Sequence, residues 1–300
     1  MFQKPLPRRA RLPLSFIPPM KPLLVDEPPG GEDWIHEIKY DGWRLQLIIA
    51  DDIRAFTKNG IDYSRQLRPI IEATRSLGAR DTILDGELII QGDDGRSDFH
   101  GLRSAMTNAP ERLIFYAFDM MVTDGQDIRA EACVDRRHRL CNLIGDHDPT
   151  FPIQFSDHFV GGGGAVFVHA EALGLEGIVS KKASSRYRSG ETTAWLKIKA
   201  YVEDEFVIVG HERGVGPTTA LMARDTPTGL QYVGAAFLTV DDKARDRFWS
   251  TAERLKVEAP PLKTAKRKAA TWLKPKIRAR VKHLRGEQML RHATVRELIW

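Results

Sequence analysis

The sequence predicts an α+β protein with two domains, one over residues 1–200 and one over residues 201–300. Its 300 residues, of which 42% are hydrophobic and 28% charged, are enough for two hydrophobic cores. Between residues 34 and 200, short segments of alternating polarity are mixed with segments of helical spacing, whereas alternation dominates after residue 200. We therefore expect packed antiparallel sheets with flanking helices in the first domain, and a mainly β second domain.

Each predicted element follows from its local pattern. Residues 1–31 are rich in proline and are expected to form an extended lead-in. Turns are expected at Asp41-Gly42 and Asp51-Asp52, between the first three strands. The glycines 161–164 are interpreted as a flexible loop, because no Lys-Ser or Lys-Thr pair follows them as in a phosphate-binding loop. The predicted strands are 34–38, 44–50, 53–57, 82–90, 113–122, 177–181, 194–199, 205–210, 221–224 and 230–240, and the predicted helices are 66–77, 135–144, 165–173 and 242–255.

Composition argues against several classes of protein. No apolar run approaches the length that a bilayer requires, so no association with a membrane is expected. The basic N-terminal segment has too short an apolar stretch for a secretory signal. Cys133 and Cys141, the only cysteines, lie eight positions apart without a pattern of metal ligands. We therefore expect a cytoplasmic protein without a disulfide framework or a zinc site.

Positive charge is concentrated near the end of the sequence. Residues 263–296 contain twelve lysines and arginines against one acid, Glu287. Such a block suits a polyanion, because neutralising phosphates releases counterions. It is equally the composition of a solvated basic surface. Lys266, Arg267 and Lys268 are the candidate DNA-binding residues of this block.

Three predicted strands carry charged side chains on one face, with apolar neighbours on the other. Carboxylates in a cleft can hold a divalent metal, and lysines can neutralise charge on phosphate. Taken singly, each strand is equally well described as half-solvated. The side chains that share a face are Glu37 with Lys39, Asp85 with Glu87, and Trp195 with Lys197 and Lys199.

Lys39 is the residue with the most specific surroundings. It ends an alternating segment and is followed at once by the Asp41-Gly42 turn and by Arg44. A lysine amine attacks phosphorus only after it has lost its proton, which burial, nearby cations or a metal can favour. A strand-end lysine in solvent before a hairpin turn is the simpler alternative. The interpretation as a nucleophile therefore depends on the other motifs.

Taken in order, these motifs resemble those of the covalent nucleotidyltransferases, and specifically of the ATP-dependent DNA ligases. The resemblance is strongest to the ligase domain of the bacterial non-homologous end-joining ligases. The matching segments are Phe-Ile-Pro-Pro-Met at 16–20, His-Glu-Ile-Lys-Tyr-Asp-Gly-Trp-Arg at 36–44, Thr-Lys-Asn-Gly at 57–60, Leu-Asp-Gly-Glu at 84–87, Tyr-Ala-Phe-Asp at 116–119, Glu-Gly-Ile-Val-Ser-Lys at 176–181 and Trp-Leu-Lys-Ile-Lys at 195–199.

The resemblance implies a fold and a reaction. Residues 1–200 would form an adenylation (nucleotidyltransferase) domain, and residues 201–300 an OB-fold β-barrel. Lys39 would attack ATP to form lysyl-AMP, and the AMP would pass to a 5′-phosphate in nicked or broken duplex DNA before the 3′-hydroxyl displaces it. Mg²⁺, or Mn²⁺, would assist. Ku is an expected partner, a monomer the expected state, and the bacterial nucleoid the expected place.

The resemblance also implies a role for each candidate residue. Lys39, Arg44, Lys197 and Lys199 would be catalytic. Glu37 would read the adenine amino group, and Phe118 would stack on the ring. Arg44 and Glu87 would contact the ribose or hold the nick and the metal. The remaining roles are metal binding for Glu176, with Glu87, contact with the phosphates of ATP for Lys181, Lys197 and Lys199, and contact with DNA for Lys58.

Three features depart from the expected pattern. Lys58 stands where arginine is usual, which loses the two-pronged contact with a 5′-phosphate. The family's last motif ends in an Arg-x-Asp-Lys-like sequence, whereas residues 290–294 resemble only its approach. Self-adenylation should therefore be slow, unless Arg296, Arg291 or Lys282 substitutes. Strict alternation does not place Glu176 and Lys181 on one face, so a twist or bulge is expected between them.

Two alternatives remain open on the sequence. An RNA ligase or an RNA-capping guanylyltransferase shares the Lys-x-Asp-Gly chemistry of residues 39–42. A catalytically silent DNA-binding relic would keep the fold and the basic segment without sealing activity.

Overall fold

The computed structural model describes residues 14–145, 148–213, 217–263, 267, 269–284 and 289–300. It divides into two compact units, Met1–Lys199 and Ala200–Trp300. Two of the candidate DNA-binding residues, Lys266 and Lys268, lie outside the described residues. Within the described part of the chain, no helix has both the length and the apolar character needed to cross a membrane.

The first sheet of the first unit has the strand order β1-β11-β10-β2-β9. All its neighbouring strands are antiparallel except β1 and β11, which run parallel. The lead-in thus ends in an edge strand that the proline-rich sequence did not reveal, since Pro22 can be accommodated in a strand only at an edge or a bulge. The strands are β1 (Met20–Leu24), β2 (Trp34–Ile38), β9 (Phe159–Val160), β10 (Gly177–Lys182) and β11 (Gly190–Lys199).

The second sheet has the order β4-β3-β5-β6-β7, with β8 paired in parallel to β6. Its register places Arg44 opposite Glu87 and Asp85 opposite Asp119. Alternation therefore brings charged side chains of neighbouring strands side by side. The strands are β3 (Trp43–Ile49), β4 (Ile53–Thr57), β5 (Thr82–Ile89), β6 (Ile114–Thr123), β7 (Gln126–Asp127) and β8 (Ile153–Phe155).

Helices cover the sheets of this unit. Three of them were predicted, with small differences at the ends. Helix α4 begins at Gly163, so the last two glycines of the run expected as a loop are helical. Helix α2 was not predicted; Asp98 caps it by accepting a hydrogen bond from the Gly101 N–H at 2.8 Å. The helices are α1 (Arg68–Ser76), α2 (Phe99–Asn108), α3 (Cys133–Ile144) and α4 (Gly163–Ala172).

In its described residues, the second unit is a closed β-barrel with one helix. Its strands have the order β12-β13-β14-β17-β16, and β12 also pairs with β16, which closes the sheet. Phe248 and Ala252 of helix α5 pack into the barrel core. A small closed barrel of this kind is the arrangement of an OB-fold, and the predicted α+β class is confirmed. The elements are β12 (Tyr201–Glu212), β13 (Thr219–Thr226), β14 (Gly229–Phe237), α5 (Asp242–Leu255), β15 (Lys256–Val257), β16 (Ala270–Leu284) and β17 (Thr294–Ile299).

Candidate active site

Lys39 lies directly after strand β2 and is anchored through its backbone. Its N–H donates to the Gly177 carbonyl at 3.0 Å. The turn that follows requires glycine, because a Cβ on Gly42 would overlap the carbonyl oxygen of Leu88. The Lys39 side chain is only 20% exposed and donates through Nζ to Oε2 of Glu176. The alternative of a strand-end lysine in open solvent is therefore not what the structure shows.

Glu176 joins two lysines. Its Oε2 accepts from Lys39, and its Oε1 lies 3.2 Å from Nζ of Lys199. Burial lowers the pKa of Lys199, and the neighbouring Glu176 carboxylate opposes that effect. A carboxylate between two amines can accept a proton from one while it holds the other in place.

The bulge or twist expected between Glu176 and Lys181 is wrong. Strand β10 begins at Gly177, so Glu176 precedes the strand and alternation does not apply to it. The pairing of β10 with both neighbours continues without a shift of register. Glu176 reaches Lys39 through the backbone conformation at Gly177, whose φ is +140°.

Glu37 is buried within a cluster of positive charge. Its Oε1 lies 2.7 Å from Nζ of Lys181 and 3.0 Å from Nη1 of Arg137, and its Oε2 accepts from the Ser156 hydroxyl at 3.2 Å. Burial lowers the pKa of Lys181, with Glu37 opposing and Arg137 adding to the effect. Two cations hold the carboxylate in one orientation at the edge of the pocket.

Arg137 was not predicted as a site residue. Its Nη1 donates to the Phe118 carbonyl at 2.8 Å, and its Nη2 to the Ser156 carbonyl at 2.5 Å and to Nδ1 of His158 at 3.1 Å. With the ion pair to Glu37, the one guanidinium fixes four groups around the pocket. The sequence contained a signal: the buried positions of α3 recur at helical spacing, and arginines occupy two of them. These positions are Cys133, Arg136, Arg137, Leu140 and Ile144.

Arg44 is held by a network rather than left free in the cleft. Its Nε and Nη2 donate to the two oxygens of Asp85 at 2.9 and 2.6 Å, and its Nη1 donates to the Met20 carbonyl at 2.6 Å. The Tyr187 hydroxyl donates to Asp85 at 2.7 Å and accepts from the Met20 N–H at 3.1 Å. A guanidinium has five N–H donors, so Arg44 keeps two beyond these three bonds. Sequence reasoning missed Tyr187.

Glu87 pairs in register with Arg44 and carries a perturbed carboxyl. Glu87 is half-buried and lines the pocket. Burial raises its pKa to about 8, with Lys39 and Arg44 opposing the shift and Glu176 adding to it. Glu87 thus holds a proton near neutral pH that a bound cation would displace.

These carboxylates fit a divalent metal only together with a phosphate ligand. Glu87 and Glu176 are close enough for the charge of one to raise the pKa of the other. In the described residues, no group of three or more histidine, cysteine, aspartate or glutamate side chains could enclose a metal ion. Mg²⁺ commonly binds through one or two carboxylates and completes its shell with water and substrate phosphates, so this pair suits it.

A pocket of about 100 Å³ lies between the two sheets of the first unit. Phe118 reaches it from a β-bulge in β6, where the register with β5 shifts between Asp85 and Gly86. Nζ of Lys181 lies 4.4 Å from the centre of the Phe118 ring. The pocket thus joins an aromatic ring, a buried carboxylate and the lysine amine. It is lined by Pro22, Glu37, Ile38, Lys39, Tyr40, Arg44, Glu87, Phe118, Val179, Lys181 and Trp195.

The remaining candidates are not among the residues that line this pocket. Lys197, on β11, is half-buried beside the pocket-lining Val179 and influences Lys199 electrostatically. Lys58 is exposed in the turn after β4, and its N–H donates to the Arg44 carbonyl at 3.1 Å. Arg267, in the second unit, pairs with Glu212 at 2.8 Å. Lys58 is therefore the most accessible of the three.

Comparison with known proteins places this site in a family. The family model described as an ATP dependent DNA ligase domain matches residues 25–199. A multifunctional non-homologous end joining protein LigD of Pseudomonas aeruginosa is 32% identical over 95% of this chain, although the chain spans only 35% of that relative. A prophage-derived DNA ligase-like protein LigB of Bacillus subtilis is 32% identical over 66% of this chain and 73% of its own length.

The fold agrees with these matches. The crystal structure of the ligase domain of Mycobacterium tuberculosis LigD superposes with a TM-score of 0.55 at 25% identity, and 94% of each chain is covered. The structures of the nucleotidyltransferase and OB-fold domains are therefore shared. The family model covers more than half of this chain, and the chain therefore belongs to the family of ATP-dependent DNA ligases.

Proposed function

We propose that this chain seals nicked or broken duplex DNA at the expense of ATP, with Lys39 as the covalent carrier of AMP. The observation that carries the proposal is the position of the Lys39 amine. It lies on the wall of a pocket that also presents an aromatic ring and a buried carboxylate, and it contacts the carboxylate of Glu176. Membership of the DNA ligase family supports the same reaction.

The first step joins Lys39 to the α-phosphorus of ATP. The deprotonated Nζ attacks, a phosphorus–nitrogen bond forms, the bond to the β-phosphate oxygen breaks and pyrophosphate leaves. Oε2 of Glu176 is the acceptor in contact with Nζ, so it is placed to receive the proton that the amine must lose. Lys199, on the other oxygen of Glu176, is a further cation beside the proposed proton acceptor.

The opposite part of the pocket suits the nucleobase. Glu37 offers a fixed carboxylate to the adenine amino group, and Phe118 offers a ring face for stacking. Lys181 and Lys197 are further cations for the phosphates, although Lys181 is already engaged by Glu37. Arg44 has two N–H donors left for the ribose or the phosphate.

Mg²⁺, or Mn²⁺, is the proposed metal, and Glu87 and Glu176 are the residues that would hold it. A bound cation would supply charge stabilisation for phosphate oxygens. It would also favour the ionised form of Glu87, whose pKa burial raises to about 8.

The later steps require DNA. The AMP passes to a 5′-phosphate, and the 3′-hydroxyl then attacks that phosphorus and releases AMP. Lys58 and the basic residues 263–285, including Arg267, are the proposed phosphate contacts. The likeness to LigD of P. aeruginosa supports a role in end joining. The bacterial cytoplasm, at the nucleoid, is the proposed location. Ku is a proposed partner and a monomer the proposed state.

Labelling with ATP that carries ³²P at the α-phosphate tests the proposal. After denaturing electrophoresis, the wild-type protein should retain label and Lys39→Ala should not. Lys182→Ala is the matched control, because Lys182 is an exposed lysine next to Lys181 on β10 and lies outside the pocket. Equal labelling of wild type and Lys39→Ala would exclude Lys39 as the carrier.

Labelling, sealing and duplex binding together distinguish the alternative functions. Labelling by GTP in preference to ATP would indicate a capping enzyme. Sealing of nicked RNA in preference to nicked DNA would indicate an RNA ligase. Duplex binding without labelling would indicate a silent relic.

A further inference from the structure

A basic cavity lies on the second unit between helix α5 and strand β16, with a volume of about 290 Å³. Four of its lining residues occur at positions i, i+3, i+4 and i+7 of α5 and therefore share one face of the helix. Strand β16 forms the opposite side. The lining residues are Arg247, Ser250, Thr251, Arg254, Leu255, Lys276, Ile277 and Trp300.

An irregularity of the barrel brings Lys276 to this cavity. Ile208 of β12 pairs with Ile277, but Gly210 pairs with Trp272, so residues 273–276 of β16 lie opposite Val209 alone. Such a bulge bends a strand and redirects its side chains. Pro275, which cannot donate to a ladder, fits the same interruption. Lys276 is consequently exposed at the cavity although it belongs to a barrel strand.

The cavity contains three cations and no acid. Within the described residues, Arg247, Arg254 and Lys276 are in no ion pair, and none of the lining residues is acidic. Most other arginines of this unit are neutralised: Arg245 by Asp242, Arg267 by Glu212, Arg278 by Glu205 and Asp225, Arg280 by Glu297, and Arg296 by Glu203. Arg213, Arg224 and Lys256 are likewise in no ion pair within the described residues, but they lie outside the cavity, whereas its three cations share one concave place.

The polar groups of the cavity are arranged to donate. Nη2 of Arg254 donates to Oγ1 of Thr251 at 3.2 Å, which leaves the Thr251 hydroxyl proton for a ligand. The guanidinium of Arg247 lies over the ring of Trp300, with its Cζ 4.2 Å from the ring centre. Stacking of this kind orients the planar fork, whose geometry matches two oxygens of a phosphate. Leu255 and Ile277 supply an apolar base that strengthens such contacts.

We propose that this cavity binds a phosphate group. Two sources share that chemistry: a phosphodiester of the DNA that the protein seals, and the polyphosphate of ATP or of released pyrophosphate. The inference rests on the proposed ligase function for its sources. It assigns the site to Arg247, Arg254 and Lys276, with Thr251 as a neutral donor.

A matched pair of double variants tests the site in the full-length chain. Arg247→Gln with Arg254→Gln removes two positive charges from the cavity. Lys243→Gln with Lys256→Gln removes two unpaired charges from the same helix and the adjoining strand, outside the cavity. The altered side chains are largely exposed, and melting temperatures within about 2 °C of wild type should confirm that both variants fold.

Two assays distinguish the sources. Equilibrium binding to a nicked duplex is measured over a range of salt concentrations, and lysyl-AMP formation is measured over a range of ATP concentrations with and without pyrophosphate. If the ligand is DNA, the cavity variant should bind the duplex roughly fivefold or more weakly than the control, with a salt slope smaller by about 1 to 2. If it is polyphosphate, the cavity variant should need roughly fivefold or more ATP for half-maximal labelling, and should resist inhibition by pyrophosphate.

Equal behaviour of the cavity variant and the control in both assays would overturn the proposal. Absence of label on the wild-type protein would instead refute the proposed ligase function. The duplex-binding assay requires no catalysis and would still test the cavity, so the two failures can be distinguished.

Discussion

The charged side chains around the pocket of the first unit are buried, whereas most ion pairs of the second unit are exposed. In the first unit, the Arg136–Asp119 pair is 0% exposed on both sides, and Glu37 and Lys181 are nearly as deeply buried. In the second unit, the pairs of Arg278 and Arg280 are about half exposed, and the cations of the basic cavity have no acidic partner among the described residues. Buried charges keep fixed positions and are little screened, whereas exposed charges are mobile and weakened by salt. The first unit is therefore suited to chemistry, and the second to reversible binding of a polyanion.

The largest expected difference between the units concerns stability. Asp119→Ala should lower the free energy of unfolding by about 3–5 kcal/mol, because it leaves the Arg136 guanidinium buried without its partner. Glu297→Ala removes the partner of Arg280 in the second unit and should cost less than about 1 kcal/mol. Urea unfolding followed by circular dichroism measures both changes. Similar losses for the two variants would show that the contrast in burial has no energetic consequence.

Arg137 offers the next largest effect, because one guanidinium holds Glu37 and the Phe118 carbonyl. Arg137→Gln should slow the formation of lysyl-AMP by roughly 10- to 100-fold, and Arg137→Lys should recover part of the loss by restoring the charge. The half-saturating ATP concentration should rise as well.

Arg139→Gln is the control for Arg137. Arg139 lies on the same helix but is 49% exposed and pairs with Glu131, so labelling should change by less than twofold. An Arg137→Gln protein that unfolds at the wild-type temperature and labels at the wild-type rate would remove Arg137 from the site.

Duplex binding and lysyl-AMP formation should differ in their sensitivity to salt when both are measured on the same protein. Between 50 and 200 mM KCl, affinity for a nicked duplex should fall roughly tenfold or more, as expected for two or more phosphate contacts. Over the same range, lysyl-AMP formation at saturating ATP should change by less than about threefold, because its ion pairs are buried. Equal sensitivity of both activities would contradict the division proposed between the units.

The smallest expected effect concerns Glu87. Its folded-state pKa, about 8, lies above the ordinary value of 4.5, so the folded protein binds the proton more tightly than the unfolded chain. The stabilisation by the protonated carboxyl is complete below about pH 4.5 and is lost as the pH rises towards 8. Glu87→Gln should abolish this pH dependence. Between pH 5 and pH 8, the free energy of unfolding of the variant should rise relative to wild type by roughly 1 kcal/mol, a small value because the side chain is partly accessible to solvent.

Thermal unfolding from pH 5 to pH 8 measures this effect. Glu111→Gln, an exposed carboxyl in the first unit, serves as the control. The wild-type and Glu87→Gln proteins should diverge only above about pH 5. Parallel curves would show that Glu87 is ionised throughout.

The sequence was most informative where function and local pattern coincide. The period of two in β2, β5 and β11 placed Glu37, Glu87 and Lys199 on the faces that meet around Lys39. Pairing across the sheets could not be predicted in the same way. The contacts of Arg44 with Asp85 and Met20, and of Arg137 with Ser156, join residues distant in the sequence, and no local signal specifies such partners.

The misplaced elements have physical explanations. Helix α2 has few buried side chains and therefore shows little helical periodicity. Strand β1 contains Pro22, which reads as a strand breaker although an edge strand tolerates it. The predicted and the observed strand both begin at Gly177, and the error was to extend the alternation of β10 by one residue to Glu176.

The hydrogen bond from the Lys39 N–H to the Gly177 carbonyl joins the proposed nucleophile to the residue that follows its proposed proton acceptor, Glu176. Amine and carboxylate thereby flank the ends of two adjoining strands of a single sheet, only a few covalent bonds from a shared anchor. We therefore expect the spacing of the proposed proton transfer to stay the same while substrates enter and products depart.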